Sequence, residues 1–461
     1  MTTAVSGRAT ATPAAILGII LASYFMVLLD NSVIFTGLPS IRSGLDLSPA
    51  ALSWVQDAYT LVFGGLLLLA ARAGDIVGRR RLFRIGLAIF GTASAGWWMI
   101  AARAVQGIGA AIVAPTSLAL ITTYFDGEAR NKAVAWYAAT AGIGASLGLL
   151  VGGALTEWIS WRAAFLVNVP IAVALIVWSS TVLTETPRRT GRFDVIGALG
   201  ATLGMGAVIF GIIESAEAGW GSARVQAALA LGAVLLIGLV VHEGRVQQPI
   251  LPLRLFRSRE RSGAYTARLL YLGAMIGFFY FTTQLLQDGF SFSPLQAGLG
   301  FLPMTLVNFV VALMVPRLSA RLSNGTLLAT GTALTLAGMA WLSRIDPLDT
   351  YLVDVALPMV LVGAGQGLAF GPLTNAGIAG VDSADAGAAS GLVNTAHQLG
   401  MALGLGVLVA LAADAGANLD GPAAVTEHVG AALTGGTVLL ALALVVVLTV
   451  IVPAARHRPV A

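Results

Sequence analysis

Long uncharged stretches restrict the fold of this chain more than any other feature of its sequence. Of its 461 residues 57% are hydrophobic and only 10% are charged, whereas a soluble domain has roughly 25% charged residues. A helix that crosses a bilayer needs about 20 mostly apolar residues, and such stretches recur along the sequence. Their length, and the absence of ten-residue alternating segments, favour helices over strands. The sequence therefore predicts an all-α polytopic membrane protein.

Fourteen apolar stretches are predicted spans, and the cationic residues between them orient the chain. Of the 26 Lys and Arg residues, all fall on one side except Arg42, Arg162, Arg224 and Arg344 on the other side and Arg103 within a span. The side with the excess of cationic loops faces the cytoplasm, so both termini are expected there. The predicted spans are 14–36, 51–71, 82–97, 99–123, 131–155, 162–183, 194–214, 224–242, 264–286, 295–316, 326–343, 351–378, 386–412 and 431–453.

Composition also argues against several other classes of protein. The sequence pI of 9.7 is explained by Arg residues in short loops, so nucleic acid is not an expected partner. The chain has no Cys and four scattered His residues, so neither disulfides nor a metal cluster is expected. No phosphate-binding loop and no Ser–His–Asp set on the spans is recognisable. An enzyme is therefore not expected, and neither is a cofactor.

Acidic and basic residues inside the apolar stretches are the first candidates for function. A charge within a span is costly and marks a functional site by default. Arg103 lies in the run RAVQGIGAA and cannot lose its proton, so it needs a buried partner. Asp30, in LLDNSVIFTGLP, is the expected partner, and proton binding at Asp30 would release Arg103. Asp57, near the outer end of the second span, is a second candidate for proton binding. Two alternatives remain: an Arg satisfied by carbonyls alone, and a hydrated Asp57.

Two further motifs involve glycine. The link ARAGDIVGRRRLF, residues 71–83, places Asp75 across a Gly-containing turn from a run of Arg residues, an arrangement that can latch two helix ends together. In the fifth predicted span, glycines recur at a spacing that lets two helices approach closely. Helix packing and a sliding seam are both open interpretations of that spacing. The residues are Asp75, Gly78, Arg79 and Arg80 for the latch, and Gly144, Gly148, Gly152 and Gly153 for the seam.

These motifs together resemble the major facilitator superfamily, and specifically its fourteen-span drug:proton antiporter branch. The loop signature of that family is matched at Asp75, Gly78, Arg79 and Arg80, and its Arg-x-x-Gln-Gly pattern at Arg103 and the two residues Gln106 and Gly107. Leu149 stands where the antiporter glycine motif has Pro.

The resemblance implies proton coupling through Asp30, Asp57 and Arg103 and a conformational latch at the loop signature. It also implies two six-helix bundles with two inserted helices between them. The expected division is a cytoplasmic tail 1–13, an N-terminal bundle 14–183, a linker with two extra helices 184–262, a C-terminal bundle 263–453 and a cytoplasmic tail 454–461.

The expected function is proton-coupled efflux of hydrophobic or amphiphilic drugs or antibiotics by alternating access. Protons are the coupling ion, the lipid bilayer and a small amphiphile are the partners, and a monomer in the cell membrane is the expected functional unit. A dedicated exporter of one endogenous metabolite and a non-transporting sensor or scaffold remain alternatives. Substrate in such folds binds near the bilayer midplane. The candidate cavity residues are Asn31, Gln106, Tyr280, Gln284, Gln287, Asn308, Asn394, His397 and Gln398.

Overall fold

Helices account for all the regular secondary structure in the described residues. A computed structural model describes residues 12–92, 99–183, 194–246, 249, 251–381 and 385–456. The N-terminal half contains α1 (Pro13–Leu45), α2 (Pro49–Val77), α3 (Arg79–Thr92), α4 (Met99–Tyr124), α5 (Gly127–Trp158), α6 (Trp161–Leu166) and α7 (Asn168–Val182). A hairpin follows, α8 (Val195–Ala218) and α9 (Ala223–Glu243). The C-terminal half contains α10 (Arg259–Gln284), α11 (Pro294–Gly300), α12 (Leu302–Ser319), α13 (Asn324–Leu342), α14 (Leu357–Gly377), α15 (Ala386–Ala412), α16 (Gly421–Val446) and α17 (Val452–Arg456).

Most of these helices are long and apolar enough to cross a bilayer. Within the described part of the chain eleven helical segments meet that condition. The helices α2, α3 and α5 lie where three further spans are predicted. The expectation of an all-helical polytopic chain is confirmed. Residues 93–97 of the predicted span 82–97 lie outside the described residues, as do 1–11, 184–193 and 457–461 of the expected tails and linker.

Several predicted boundaries are wrong because hydropathy marks the apolar part of a helix and not its ends. Helix α1 continues to Leu45, past the predicted end at 36, so Arg42 lies in its last turn. Helix α16 begins at Gly421 and not at 431, so Glu427 is helical. In both cases polar residues extend the helix beyond its apolar core, where water can solvate their side chains.

The two ends of the helical bundle differ in how the halves meet. The turn between α1 and α2 at Asp46 defines the Asp46 end, and the turn between α2 and α3 at Gly78 defines the Gly78 end. At the Asp46 end the halves are joined: Gln287 Nε2 on the C-terminal half donates to the Thr36 carbonyl at 2.9 Å, and the Leu295 amide donates to Glu157 Oε2 at 3.0 Å.

Apolar packing follows the same division between the two ends. Residues of α1 near the Asp46 end, such as Phe35 and Leu38, belong to the main apolar core of the C-terminal half. Towards the Gly78 end, the core that contains Ile19 and Phe83 is built from described residues of the N-terminal half alone. The structure therefore shows the halves closed together at the Asp46 end.

The α8–α9 hairpin packs on the outside of both halves. Thr202 on α8 fills the space beside Gly65 on α2, and Ile213 on α8 lies beside Gly406 on α15. Helix α9 contacts α8 through Leu235 and Leu236 at Gly204. The hairpin thus covers the junction between α2 and α15 without inserting between the halves.

Candidate functional site

A buried ion pair lies inside the N-terminal half. Arg103 Nη1 on α4 lies 2.6 Å from Asp30 Oδ2 on α1, and both side chains have zero exposure. Neither group can reach water, so each depends on the other: an isolated charge of either sign would be strongly disfavoured in this environment. The structure therefore brings together the two residues that sequence analysis had paired.

Two amides complete this site, which we call the charge cluster (Asp30, Arg103, Gln106 and Asn168). Asp30 Oδ1 accepts from Asn168 Nδ2 at 2.6 Å and from Gln106 Nε2 at 3.2 Å. Arg103 donates to Gln106 Oε1 at 3.0 Å and, through Nε, to the Val55 carbonyl at 3.1 Å. Three side chains thus donate to one carboxylate, an arrangement suited to its ionised form.

An aromatic ring adds to the stabilisation of Arg103. The guanidinium carbon lies 4.3 Å from the centroid of the Tyr59 ring on α2, close enough for a cation–π interaction. The remaining nitrogen, Nη2, is buried and has no hydrogen-bond partner among the described residues. Four helices of the N-terminal half, α1, α2, α4 and α7, therefore meet at this one guanidinium and its carboxylate.

Asp57 on α2 has the opposite environment. Its side chain has zero exposure, and neither carboxyl oxygen has a hydrogen-bond partner among the described residues. Because no described group pairs with this carboxyl or donates to it, burial favours its neutral, protonated form. The alternative of a hydrated Asp57 at the outer end of its span does not fit its zero exposure. Asp30 is thus a buried acid with a counter-charge, whereas Asp57 has no compensating partner among the described residues.

The predicted latch lies at the Gly78 end. Gly78 has a φ of 105°, a conformation that favours glycine because a side chain is strained there. Arg79 donates to the Ala119 carbonyl at 2.9 Å and to the Thr123 hydroxyl, and Arg80 donates to the Ser180 carbonyl at 2.7 Å. These bonds tie the start of α3 to the ends of α4 and α7. The Asp75 side chain lies outside the described residues.

The glycines of α5 allow close contact with two different partners. A Cβ at Gly148 would lie 2.5 Å from the Ser32 Cβ on α1, and one at Gly152 would lie 2.5 Å from the Val33 carbonyl. Gly144 faces Leu28 on the same side. Gly153 instead approaches the Pro294 carbonyl in the C-terminal half. The first three glycines form a seam within the N-terminal half, whereas Gly153 lies between the halves.

The predicted cavity residues do not form one site. In the N-terminal half, Asn31 Oδ1 accepts from Gln56 at 3.1 Å and Gln106 belongs to the charge cluster. Three others lie towards the Asp46 end: Tyr280 and Gln284 line a cavity there, and Gln287 bonds across the halves. The others are Asn308, partly exposed on α12, and Asn394, His397 and Gln398, which lie on α15 with part or all of each side chain accessible.

Sequence analysis missed two residues and miscounted the charges in the spans. Treating Arg103 as the one basic residue within a span is wrong, because Arg268 lies well inside α10 with only 3% of its surface exposed. Arg268 falls in the predicted span 264–286, and a charge within a predicted span could have indicated it as a functional candidate. Asn168 falls in the span 162–183 and donates to Asp30. A polar amide in an apolar stretch could have indicated it.

Comparison with known proteins identifies the family. The model of the Major Facilitator Superfamily matches residues 20–405. The chain belongs to the Major Facilitator Superfamily. It is therefore a membrane transporter rather than an enzyme.

Two relatives align with nearly the whole of this chain. It is 40% identical to the cephamycin export protein CmcT of Amycolatopsis lactamdurans, over 98% of this chain and 96% of that protein. It is 39% identical to the puromycin resistance protein Pur8 of Streptomyces alboniger, over 93% of this chain and 88% of that protein. A solved bacterial homologue of the human lysosomal transporter Spinster matches with a TM-score of 0.69 and 15% identity, over 98% of this chain and 99% of the other. That likeness shows the fold.

Proposed function

We propose that this protein exports small hydrophobic or amphiphilic molecules of the antibiotic or drug type across the cell membrane. Two relatives that align along most of their lengths are, by name, an export protein and a resistance protein. We further propose that protons drive the export. The observation that supports this most strongly is the buried pair of Asp30 and Arg103, which sits in a bilayer-spanning fold where charges are retained at high cost.

The charge cluster and Asp57 provide two proton sites with different occupancy in the arrangement closed at the Asp46 end. Asp30 is ionised, because it pairs with Arg103 and accepts from two amides. Asp57 is neutral, because nothing compensates a charge on it. A proton that reaches Asp30 converts the carboxylate to a carboxylic acid and removes its attraction to Arg103. The resulting change in helix contacts biases the protein between two conformations.

In this scheme the two halves rock against each other about a substrate site at their junction and expose the substrate alternately to each side. A proton enters from outside, is held by a buried carboxyl, and is released to the cytoplasm as substrate leaves. The Arg residues of the latch hold α3 to α4 and α7 at the Gly78 end, and so keep the N-terminal half rigid as it moves. No cofactor is required beyond the coupling proton, and one monomer contains every residue of the scheme.

We propose fourteen spans with both termini in the cytoplasm, which places the Gly78 end inside the cell. The excess of cationic loops at that end supports this orientation. The domain scheme follows: an N-terminal bundle 14–183, a linker 184–262 that carries α8 and α9, and a C-terminal bundle 263–453. The packing of α8 on the outside of α2 and α15 supports an inserted hairpin.

A cysteine-free chain makes this topology directly testable. A membrane-impermeant maleimide is expected to label Gly221→Cys, in the α8–α9 turn, in intact cells. It is expected to label Arg257→Cys, in the link before α10, only after the cells are permeabilised. Both positions are exposed. The reverse pattern would contradict the orientation, and labelling of both from the same side would contradict the inserted pair of spans.

Export is tested by accumulation in a drug-hypersensitive host that expresses the protein. Cells are expected to retain less of at least one compound from a panel that includes cephamycin, puromycin and ethidium, and a protonophore is expected to abolish the difference. Equal retention of every compound with and without the protein would favour a sensor or scaffold. Reduced retention of one compound alone would favour a dedicated exporter over a multidrug one.

A further inference from the structure

Arg268 carries a buried positive charge that no acid in the described part of the protein neutralises. Its side chain is 3% exposed, and none of the ion pairs among the described residues includes it. Arg103, the other buried guanidinium, has Asp30 as its counter-charge. A charge within a span is retained where it pairs with another group or faces a polar cavity. Among the residues that the structure describes, Arg268 is thus a buried cation without a neutralising acid.

The neighbours of Arg268 are neutral and leave part of its hydrogen-bonding capacity unused. Nη1 donates to Thr374 Oγ1 on α14 at 2.8 Å, and Nη2 lies 3.2 Å from His397 Nδ1 on α15. The guanidinium carbon lies 4.5 Å from the centroid of the Phe370 ring. Nε is buried and has no hydrogen-bond partner in the described part of the chain. Two neutral groups and one ring do not supply the charge that a carboxylate would.

Arg261, on the same helix, shows how the fold satisfies an Arg without an acid. It donates to the carbonyls of Leu255 at 3.0 Å, Ala379 at 3.0 Å and Gly380 at 3.3 Å. Each of these acceptors is backbone, fixed by the fold. Arg268 has no such set of carbonyls among its described bonds, so its position is not explained by helix packing in the same way.

The groups that contact Arg268 are not fully buried. Thr374, His397 and Phe370 are each partly exposed, and Asn394, one turn before His397 on α15, is exposed. Helix α15 is also the helix that contacts α2 of the other half, where Thr395 Oγ1 donates to the Gly64 carbonyl at 3.4 Å. The cluster therefore lies next to the junction of the two halves, where a rocking transporter binds its cargo.

We propose that Arg268, Thr374 and His397 form a binding site for the carboxylate of an amphiphilic substrate, with Phe370 packing against its apolar body. The proposal deepens the proposed export function and rests on it. A carboxylate would supply the missing negative charge and accept charge-assisted hydrogen bonds from the guanidinium. The Thr374 hydroxyl and the His397 ring then orient the guanidinium towards the ligand.

Direct binding to the purified protein in nanodiscs tests this site. The probes are 1-pyrenebutyrate and 1-pyrenebutyramide, which differ in charge and share one apolar body, at pH 7.5 and corrected for empty nanodiscs. The wild-type protein is expected to bind the carboxylate roughly 10- to 100-fold more tightly than the amide, the range expected for hydrogen bonds to a charged group. Arg268→Gln is expected to lose this preference. Arg261→Gln, the matched control on the same helix, is expected to keep it.

Two results would overturn the proposal. One is wild-type protein that binds acid and amide equally, or shows no saturable binding of the acid. The other is an Arg268→Gln protein that keeps the preference. Should Arg268→Gln fail to fold, Arg268→Lys, which retains the charge without the planar fork, is expected to reduce the preference, and an unchanged preference would equally contradict the site. A protein that binds the acid selectively but exports nothing contradicts the proposed export function and leaves this site standing.

Discussion

Breaking the pair between Asp30 and Arg103 is expected to destabilise the protein far more than removing both charges together. Both side chains have zero exposure and their charged atoms lie 2.6 Å apart. Removal of one partner leaves the other charge buried without compensation, at a cost of about 3–5 kcal/mol. Asp30→Asn leaves Arg103 with neutral acceptors alone, namely the introduced amide oxygen and the existing Val55 and Gln106 oxygens.

The double variant Asp30→Asn, Arg103→Met removes both charges, so its cost is expected to fall well below the sum of the two single costs. Replacing a whole buried pair by neutral groups is often close to neutral. The coupling between the two positions is therefore expected to reach several kcal/mol, above the roughly 0.5–3 kcal/mol seen for most neighbouring residues.

The assay is a double-mutant cycle on the free energy of unfolding in mixed SDS and detergent micelles. Asp385→Asn serves as the control, because it breaks an ion pair with Arg254 on the protein surface and is expected to shift the unfolding curve far less than either buried single variant. Single variants that cost less than about 1 kcal/mol, or a double variant whose cost equals the sum of the single costs, would refute the reasoning.

Three other changes test separate parts of the structure. Asp57→Asn is expected to fold and insert normally, because the Asp57 carboxyl has no hydrogen-bond partner among the described residues and is neutral in the proposed scheme. It is nevertheless expected to lose protonophore-sensitive export; normal export would show that Asp57 carries no coupled proton. Gly148→Ala is expected to cost roughly 1–3 kcal/mol through overpacking against Ser32, whereas Gly238→Ala, with no atom near its Cβ, is expected to be neutral or stabilising; equal effects on the unfolding free energy would contradict the seam. The Arg254 guanidinium holds the pKa of Asp385 below its usual range. This pair therefore stabilises the fold above the unfolded pKa of about 3.9, and its effect is lost as pH falls through the lowered folded pKa. A difference in unfolding midpoint between wild type and Asp385→Asn that persists below the folded pKa would contradict this.

The charge cluster was predictable in part, because a charge in an apolar span must find a compensating group. Asp30 and Arg103 are charged residues in long apolar runs of the same half, and pairing with each other neutralises both buried charges. Sequence could not show that Asn168 joins them, since its contact with Asp30 depends on how α7 packs against α1. Nor could the sequence show that Asp57 has no hydrogen-bond partner among the described residues, because that depends on how the helices pack.

The substrate region was predicted less well, for a geometric reason. A list of polar residues on spans does not give their depth in the bilayer or the face of the helix on which they lie. Tyr280 and Gln284 therefore proved to line a cavity at the Asp46 end, far along α10 from Arg268. His397 was named as a candidate, but its partner Arg268 was counted with the cytoplasmic loop charges. Helix ends were misplaced for a related reason, because polar residues such as Arg42 continue a helix beyond its apolar core.

Proton movement triggered by substrate is the most direct test of the central claim that Asp30 and Arg103 couple protons to export. Purified protein is reconstituted into liposomes with an acidic lumen that contains a pH-sensitive dye, and the compound identified by the accumulation panel is added outside. Wild-type protein is expected to raise the pH of the lumen as compound enters and protons leave, above the rate in protein-free liposomes. Asp30→Asn protein that is folded is expected to show no such rise. A wild-type rate of proton release from Asp30→Asn would contradict the account.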